Sequence, residues 1–245
     1  MRGPYRAPDQ RGVTPQHRGR FPGFDVLDEV HRWDDVTAGV VLARLAPTTD
    51  LSFFTQAENG CASALVDLLL GQDGEPKVPV VAMIDARLAA GETDGWHYDD
   101  LPPDAEAWRR TLAQLDEDAD ELAGRPFARL EGEQQAALVQ RVQDLGSDGK
   151  RWHELPAKQV WSLWTRYACA AFYAHPWAWN EMGFPGPAYP RGYKNTGIDA
   201  RERFEVRDAG GTDAGHPDPV RFGDRVERAR TAHADLVGTE LEGRP

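Results

Sequence analysis

His175, Glu181, Arg191 and Lys194 fall close together in the stretch FYAHPWAWNEMGFPGPAYPRGYKN, residues 172–195. An imidazole, a carboxylate and a guanidinium could together do acid/base chemistry or bind an anion. The same residue types also serve as clips. A histidine before proline at a helix end can cap the last carbonyls, and Glu181 could fix Arg191 or His175. The spacing favours clips that hold an irregular loop, with acid/base or metal chemistry as the competing reading. Around these groups lie two Trp, three Tyr and two Phe. Trp177, Trp179, Phe184, Tyr189 and Tyr193 can pack the loop onto a core. They can also form a partner-binding surface, since Trp, Tyr and Arg are favoured interface anchors. Arg166, Arg191 and Lys194 are their charged companions.

Other chemistry is hard to find. No GxGxxG follows a strand, and there is no Walker-type loop, GxSxG, HExxH or EF-hand pattern. The seven histidines are scattered, and His97 and His153 read as surface or packing residues. Cys61 and Cys169 are not part of a CxxC or CxxCH, which argues against a cluster, zinc or c-type haem site in this chain. They read as two buried thiols, with a disulfide as the alternative. The expectation is therefore no catalytic, cofactor-binding or metal site in this chain.

The aromatic stretch needs a rigid body beneath it. Pro176, Pro185, Pro187 and Pro190 each lack an N–H and bias the preceding residue away from helix, so 175–195 is expected to be irregular. Before it, the pattern predicts helices. Asp34 and Asp35 open one that carries Val36, Val40, Val41 and Leu45 and stops at Pro47. Thr55 with Glu58 forms a capping box for a helix to about Leu70, with Phe53 and Phe54 as a staple. Val80–Ala90, Asp104 to about Leu122 and Glu131–Leu145 follow, each with an apolar face. The outer faces of 104–122 are acidic and read as solvated. From Pro156 to Ala174, apolar residues lie nearly all round, which marks a central buried helix. No period-2 run appears. The fold class is all-α: a single compact bundle of about six helices, with a long irregular Pro/aromatic-rich C-terminal segment.

The ends differ from the middle. Residues 1–30, rich in Arg, Pro and Gly, suit an extended or disordered basic arm, with Phe21, Pro22, Phe24, Val26 and Leu27 anchoring its end. Residues 31–206 form the helical domain. Residues 207–245 are a polar tail with an exposed helix around Asp224–Val237. The chain has 245 residues and a net charge of −12. Such acidity disfavours nucleic acid. No run approaches a membrane span. The basic N-terminus is not followed by an apolar segment, and Arg18 and Arg20 are not a twin-arginine pair. A cytoplasmic location follows as the expectation, or a periplasmic one if the chain leaves with a signal-bearing partner.

The segment HPWAWNEMGFPGPAYPRGYKN, residues 175–195, resembles the gluconate 2-dehydrogenase subunit 3 family. Supporting matches are Phe53-Phe54-Thr55 with Glu58, the stretch Val78–Leu88 with Asp85 and Arg87, Leu101–Asp104, and Val160–Tyr167 with Arg166. They span residues 20–206. The resemblance implies a non-catalytic small helical subunit of a GMC-type (glucose–methanol–choline) dehydrogenase complex. It would assist assembly, maturation or export of the large subunit, which holds FAD and does the chemistry. A cytochrome c subunit often completes such complexes. In this reading His175, Trp177, Trp179, Asn180, Glu181, Tyr189, Arg191 and Tyr193 bind the partner or brace the loop. Two other readings stand beside it: an independent enzyme using His175, Glu181 and Arg191, and a general chaperone-like protein.

Overall fold

The computed structural model describes residues 21, 24–45, 50–195 and 200–206. The expected helix at Asp224–Val237 lies outside them. The chain is all-α, with helices α1 (Asp35–Ala43), α2 (Gln56–Leu70), α3 (Val80–Ala89), α4 (Asp104–Ala123), α5 (Gly132–Ser147), α6 (Ala157–Ala174) and α7 (Pro176–Met182). Short 3-10 helices occupy Val26–Arg32 and Phe127–Arg129. The one strand pair among the described residues is β1 (Arg151–Trp152) against β2 (Leu155–Pro156).

The described residues fall into two units. Among the described residues, one is built from 50–71 and Val80–Cys169; the other from 21, 24–45, Gln72–Pro79, 170–195 and 200–206. In the first, α2 begins as its sequence dictates. The Thr55 hydroxyl accepts the Glu58 N–H, and the Glu58 carboxylate accepts the Thr55 N–H. Just before this cap, the Asp85 carboxylate of α3 accepts the N–H groups of Ser52, Phe53 and Phe54, at 2.7, 3.0 and 2.7 Å. Asp85 is 2% exposed. Three charge-assisted bonds are what make a buried carboxylate tolerable there.

Helix α4 turns Trp108, Leu112, Leu115 and Ala119 inward. Large aromatic rings are packed edge to face: Phe54 on Trp108, Trp108 on Tyr167, and Trp152 on Trp164. Three of the polar handles in this part of the core find partners, as buried ones usually do, while the Trp108 Nε1 has none among the described residues. The Trp164 indole donates to Thr111, Trp152 donates to Asp118, and the Tyr167 hydroxyl donates to Asp104. That last bond, with burial as the larger cause, pushes the Tyr167 phenol up to about 12.

Helix α6 departs from expectation. Val160, Leu163, Trp164, Tyr167, Ala168 and Phe172 are buried, but Cys169, Ala170 and Tyr173 are exposed. The helix has an outer edge, made of residues too apolar for a hydropathy pattern to mark as surface. The two cysteines are both free: Cys61 is buried and Cys169 is not. The reading of two buried thiols is corrected for Cys169.

In the second unit, a small core joins Val26, Leu27, Trp33 and Val41 to Trp179. Of the expected anchors near the arm, Val26 and Leu27 are buried and Phe21 and Phe24 half-buried. Pro22 lies outside the described residues. The 3-10 helix Val26–Arg32 stands where composition suggested extended chain; Asp25 caps it by accepting the Leu27 N–H.

Candidate functional site

The segment 175–195 is not wholly irregular. It opens with α7, which the four prolines hid. Pro176 occupies the first turn, where its missing N–H breaks no intrahelical bond. His175 is the N-cap: its Nδ1 accepts the Trp177 N–H at 3.2 Å. This is the opposite of the expected role, in which the ring would have capped the preceding carbonyls. Those are served by Arg44, whose guanidinium donates to the Ala174 carbonyl at 2.8 Å and lies 5.7 Å from the Trp179 ring centroid. His175 is 1% exposed. Burial lowers its pKa to about 4, against the opposing pull of a hydrogen bond to the Arg44 backbone. A neutral ring is what this cap requires.

Gly183, in the left-handed region, ends α7. Beyond it, proline and glycine keep the chain extended and turned. Gly186 has φ of +78°, and a Cβ there would overlap the Trp33 ring. Only glycine suits both the conformation and the close approach.

The other sequence-predicted residues divide by direction. Trp179 and Asn180 point inward; Trp179 Nε1 donates to the Tyr173 carbonyl, and Asn180 accepts the Val26 N–H at 2.8 Å. Arg191 is held by Glu29 at 2.5 Å, by the Pro185 carbonyl at 2.9 Å and by the Pro187 carbonyl at 3.4 Å. Its guanidinium also lies 3.7 Å from the Phe204 ring centroid. Trp177 is half-buried with its ring edge-on to His175, and Glu181 is half-buried on α7. Tyr189 and Tyr193 point out, 65% and 59% exposed. Arg166 does not join this group: it belongs to the other unit, paired with Asp94 and Asp104.

The arrangement is good at fixing backbone. His175, Asn180 and Arg191 each direct polar atoms to main-chain groups or to Glu29, although Arg191 Nε has no partner among the described residues. Among the described residues, no group of three or more His, Cys, Asp and Glu side chains is placed to hold a metal ion. No described helix is long and apolar enough to cross a membrane. Sequence reasoning missed Glu29, Trp33 and Arg44, because their partners lie more than a hundred residues away. For Asp85 a signal was present: it shares the i, i+3/i+4 face of Val81, Ile84 and Leu88, where a carboxylate must have a buried job.

The profile of gluconate 2-dehydrogenase subunit 3 matches residues 56–186, more than half of the chain. The chain belongs to the gluconate 2-dehydrogenase subunit 3 family. No curated protein and no solved structure matches it. The family match takes in α2 to α7 and ends at Gly186, the residue against Trp33. Tyr189, Arg191 and Tyr193 lie beyond it.

Proposed function

We propose that this chain is a non-catalytic small subunit of a flavin-dependent dehydrogenase complex. It binds a GMC-type large subunit and assists that subunit's assembly, maturation or export. The observation that carries this reading is the family match over residues 56–186, to a family described as a dehydrogenase subunit. The site geometry supports it. A segment whose inner side chains are tied to backbone presents Tyr189 and Tyr193 outward on a fixed base, as an interface anchor requires. FAD and the substrate site belong to the large subunit, and a cytochrome c subunit carries electrons onward.

The test is co-expression with a GMC-type flavoprotein from the same organism. The expected result is co-elution, and a large subunit that loads less FAD when the small chain is omitted. A large subunit that folds, takes up FAD and turns over equally well alone would sink the reading.

A further inference from the structure

Helix α1 is apolar on two opposite sides. Ala38, Val41, Leu42 and, just past its end, Leu45 face the cluster of Val26, Leu27, Trp33 and Trp179. The other side carries Val36, Gly39, Val40 and Ala43, all exposed, at the i, i+3, i+4, i+7 spacing of one helical stripe. Val36 is 75% exposed and Val40 54%. The run from Val36 to Ala43 holds no charge in a chain that is 28% charged. A surface helix normally turns polar residues outward.

Gly39 is the second observation. A glycine inside a helix costs about 0.5–1 kcal/mol relative to alanine. Among the described residues it serves no packing, since a Cβ at Gly39 would meet no atom beyond its own helix within 4 Å. What it does leave is open backbone at the centre of the stripe, where another surface can approach closely.

The area and the charge decide the occupant. Four small side chains fall far short of the ~800 Å² per partner that a stable protein pair buries. Pairing two copies through this stripe would also bring together two chains of net charge −12. The stripe is therefore one part of a wider contact with a different protein. Asp35 is exposed at the start of α1, so the matching surface is an apolar groove with a basic group at that end.

Building on the reading of this chain as a flavoprotein subunit, we propose that α1 is its docking helix. Val36, Gly39, Val40 and Ala43 seat in an apolar groove of the large subunit. The experiment compares three full-length forms, each co-expressed with a GMC-type flavoprotein from the same organism: wild type, Val36→Glu with Val40→Glu, and Gly39→Leu. Both variants are expected to bind at least about tenfold more weakly, as loss of a central anchor does. Alone, both should keep the wild-type helical content and melting temperature, with Gly39→Leu equal to or above it. If wild type binds and both variants bind as tightly, α1 is not the docking helix, although the subunit reading stands. A fall of several degrees in melting temperature for both isolated variants means that another part of this chain covers the stripe. A wild-type homodimer that the variants dissolve makes a second copy the occupant. Either result overturns the proposal. A wild type that ignores the flavoprotein overturns both readings.

Discussion

His175 shows how a single side chain can look catalytic and be structural. An imidazole beside Glu181 and Arg191 invites an acid/base reading. Its surroundings give it a different task, because the cap needs a lone pair on Nδ1 and a proton there would repel the Trp177 N–H. The folded state therefore prefers the neutral ring, with a pKa of about 4 against 6.5 for an unperturbed histidine. Between these two values the unfolded chain binds more protons than the folded one, so stability rises with pH across that window. Read downward, stability is lost as pH falls from about 6.5 towards about 4. A His175→Asn variant keeps a good N-cap oxygen and removes the titration. Denaturant unfolding at pH 7 and pH 5 should show wild type losing on the order of 2 kcal/mol more than the variant. Equal losses would mean that His175 is protonated, or solvated, in the folded chain.

Among the elements, the informative contacts are those that join distant segments. Asp85 ties α3 to the residues that lead into α2, and its three N–H donors are adjacent in sequence. Asparagine at this position is nearly the same size, but its amide group turns a donor towards the Ser52 N–H. Asp85→Asn should cost about 2–4 kcal/mol, because a charge-assisted bond is lost and a buried donor is left unpaired. Urea unfolding with an unchanged m-value would measure it, and a cost below about 0.5 kcal/mol, typical of a surface change, would show that the turn does not depend on Asp85. The local half of this arrangement is legible in the sequence. Thr55 and Glu58 announce their capping box because both partners lie within one turn. Where legibility fails, it fails for stated reasons. Four prolines concealed α7, since the rule against proline in helices exempts the first turn, where Pro176 stands. The helix expected to end at Leu145 runs on through Gly146 to Ser147. A Cβ at Gly146 would come within 2.9 Å of the Lys158 backbone at the start of α6. Pattern rules report what one element wants, and Gly146 answers to two. Within 175–195 the inward turn of Trp179 and the outward turn of Tyr189 could not be told apart by residue type, because both are large amphipathic rings. For Trp179 the direction came from the Tyr173 carbonyl six residues back and from the cluster around Trp33, a long-range contact that periodicity does not carry.

At the scale of the whole molecule, charge and apolar exposure are distributed unequally. The chain is strongly acidic, and α4 turns Glu106, Glu117, Asp120 and Glu121 to solvent. Most of the large exposed apolar side chains belong instead to the unit that holds α1 and the aromatic segment: Val36, Val40, Tyr173, Met182, Tyr189 and Tyr193 among them. Scattered apolar surface is ordinary on any protein. Its concentration in one unit, partly on the uncharged runs Val36–Ala43 and Met182–Pro190, fits the proposed interface. That distribution predicts how association should respond to salt. Screening shortens to about 3 Å at 1 M ionic strength, so a contact held by charge pairs weakens steeply as salt is raised. A contact held by burial of these side chains does not, and sulfate should strengthen it. Affinity for the large subunit, measured from 0.1 to 1 M sodium chloride, is expected to change by less than about threefold. Tyr189→Ser with Tyr193→Ser should weaken it by roughly tenfold or more at every salt concentration. The isolated double variant should unfold within about 0.5 kcal/mol of wild type, since both rings are largely in solvent. A hundredfold loss of wild-type affinity over the same salt range would assign the docking to the charged faces of α4 and its neighbours instead.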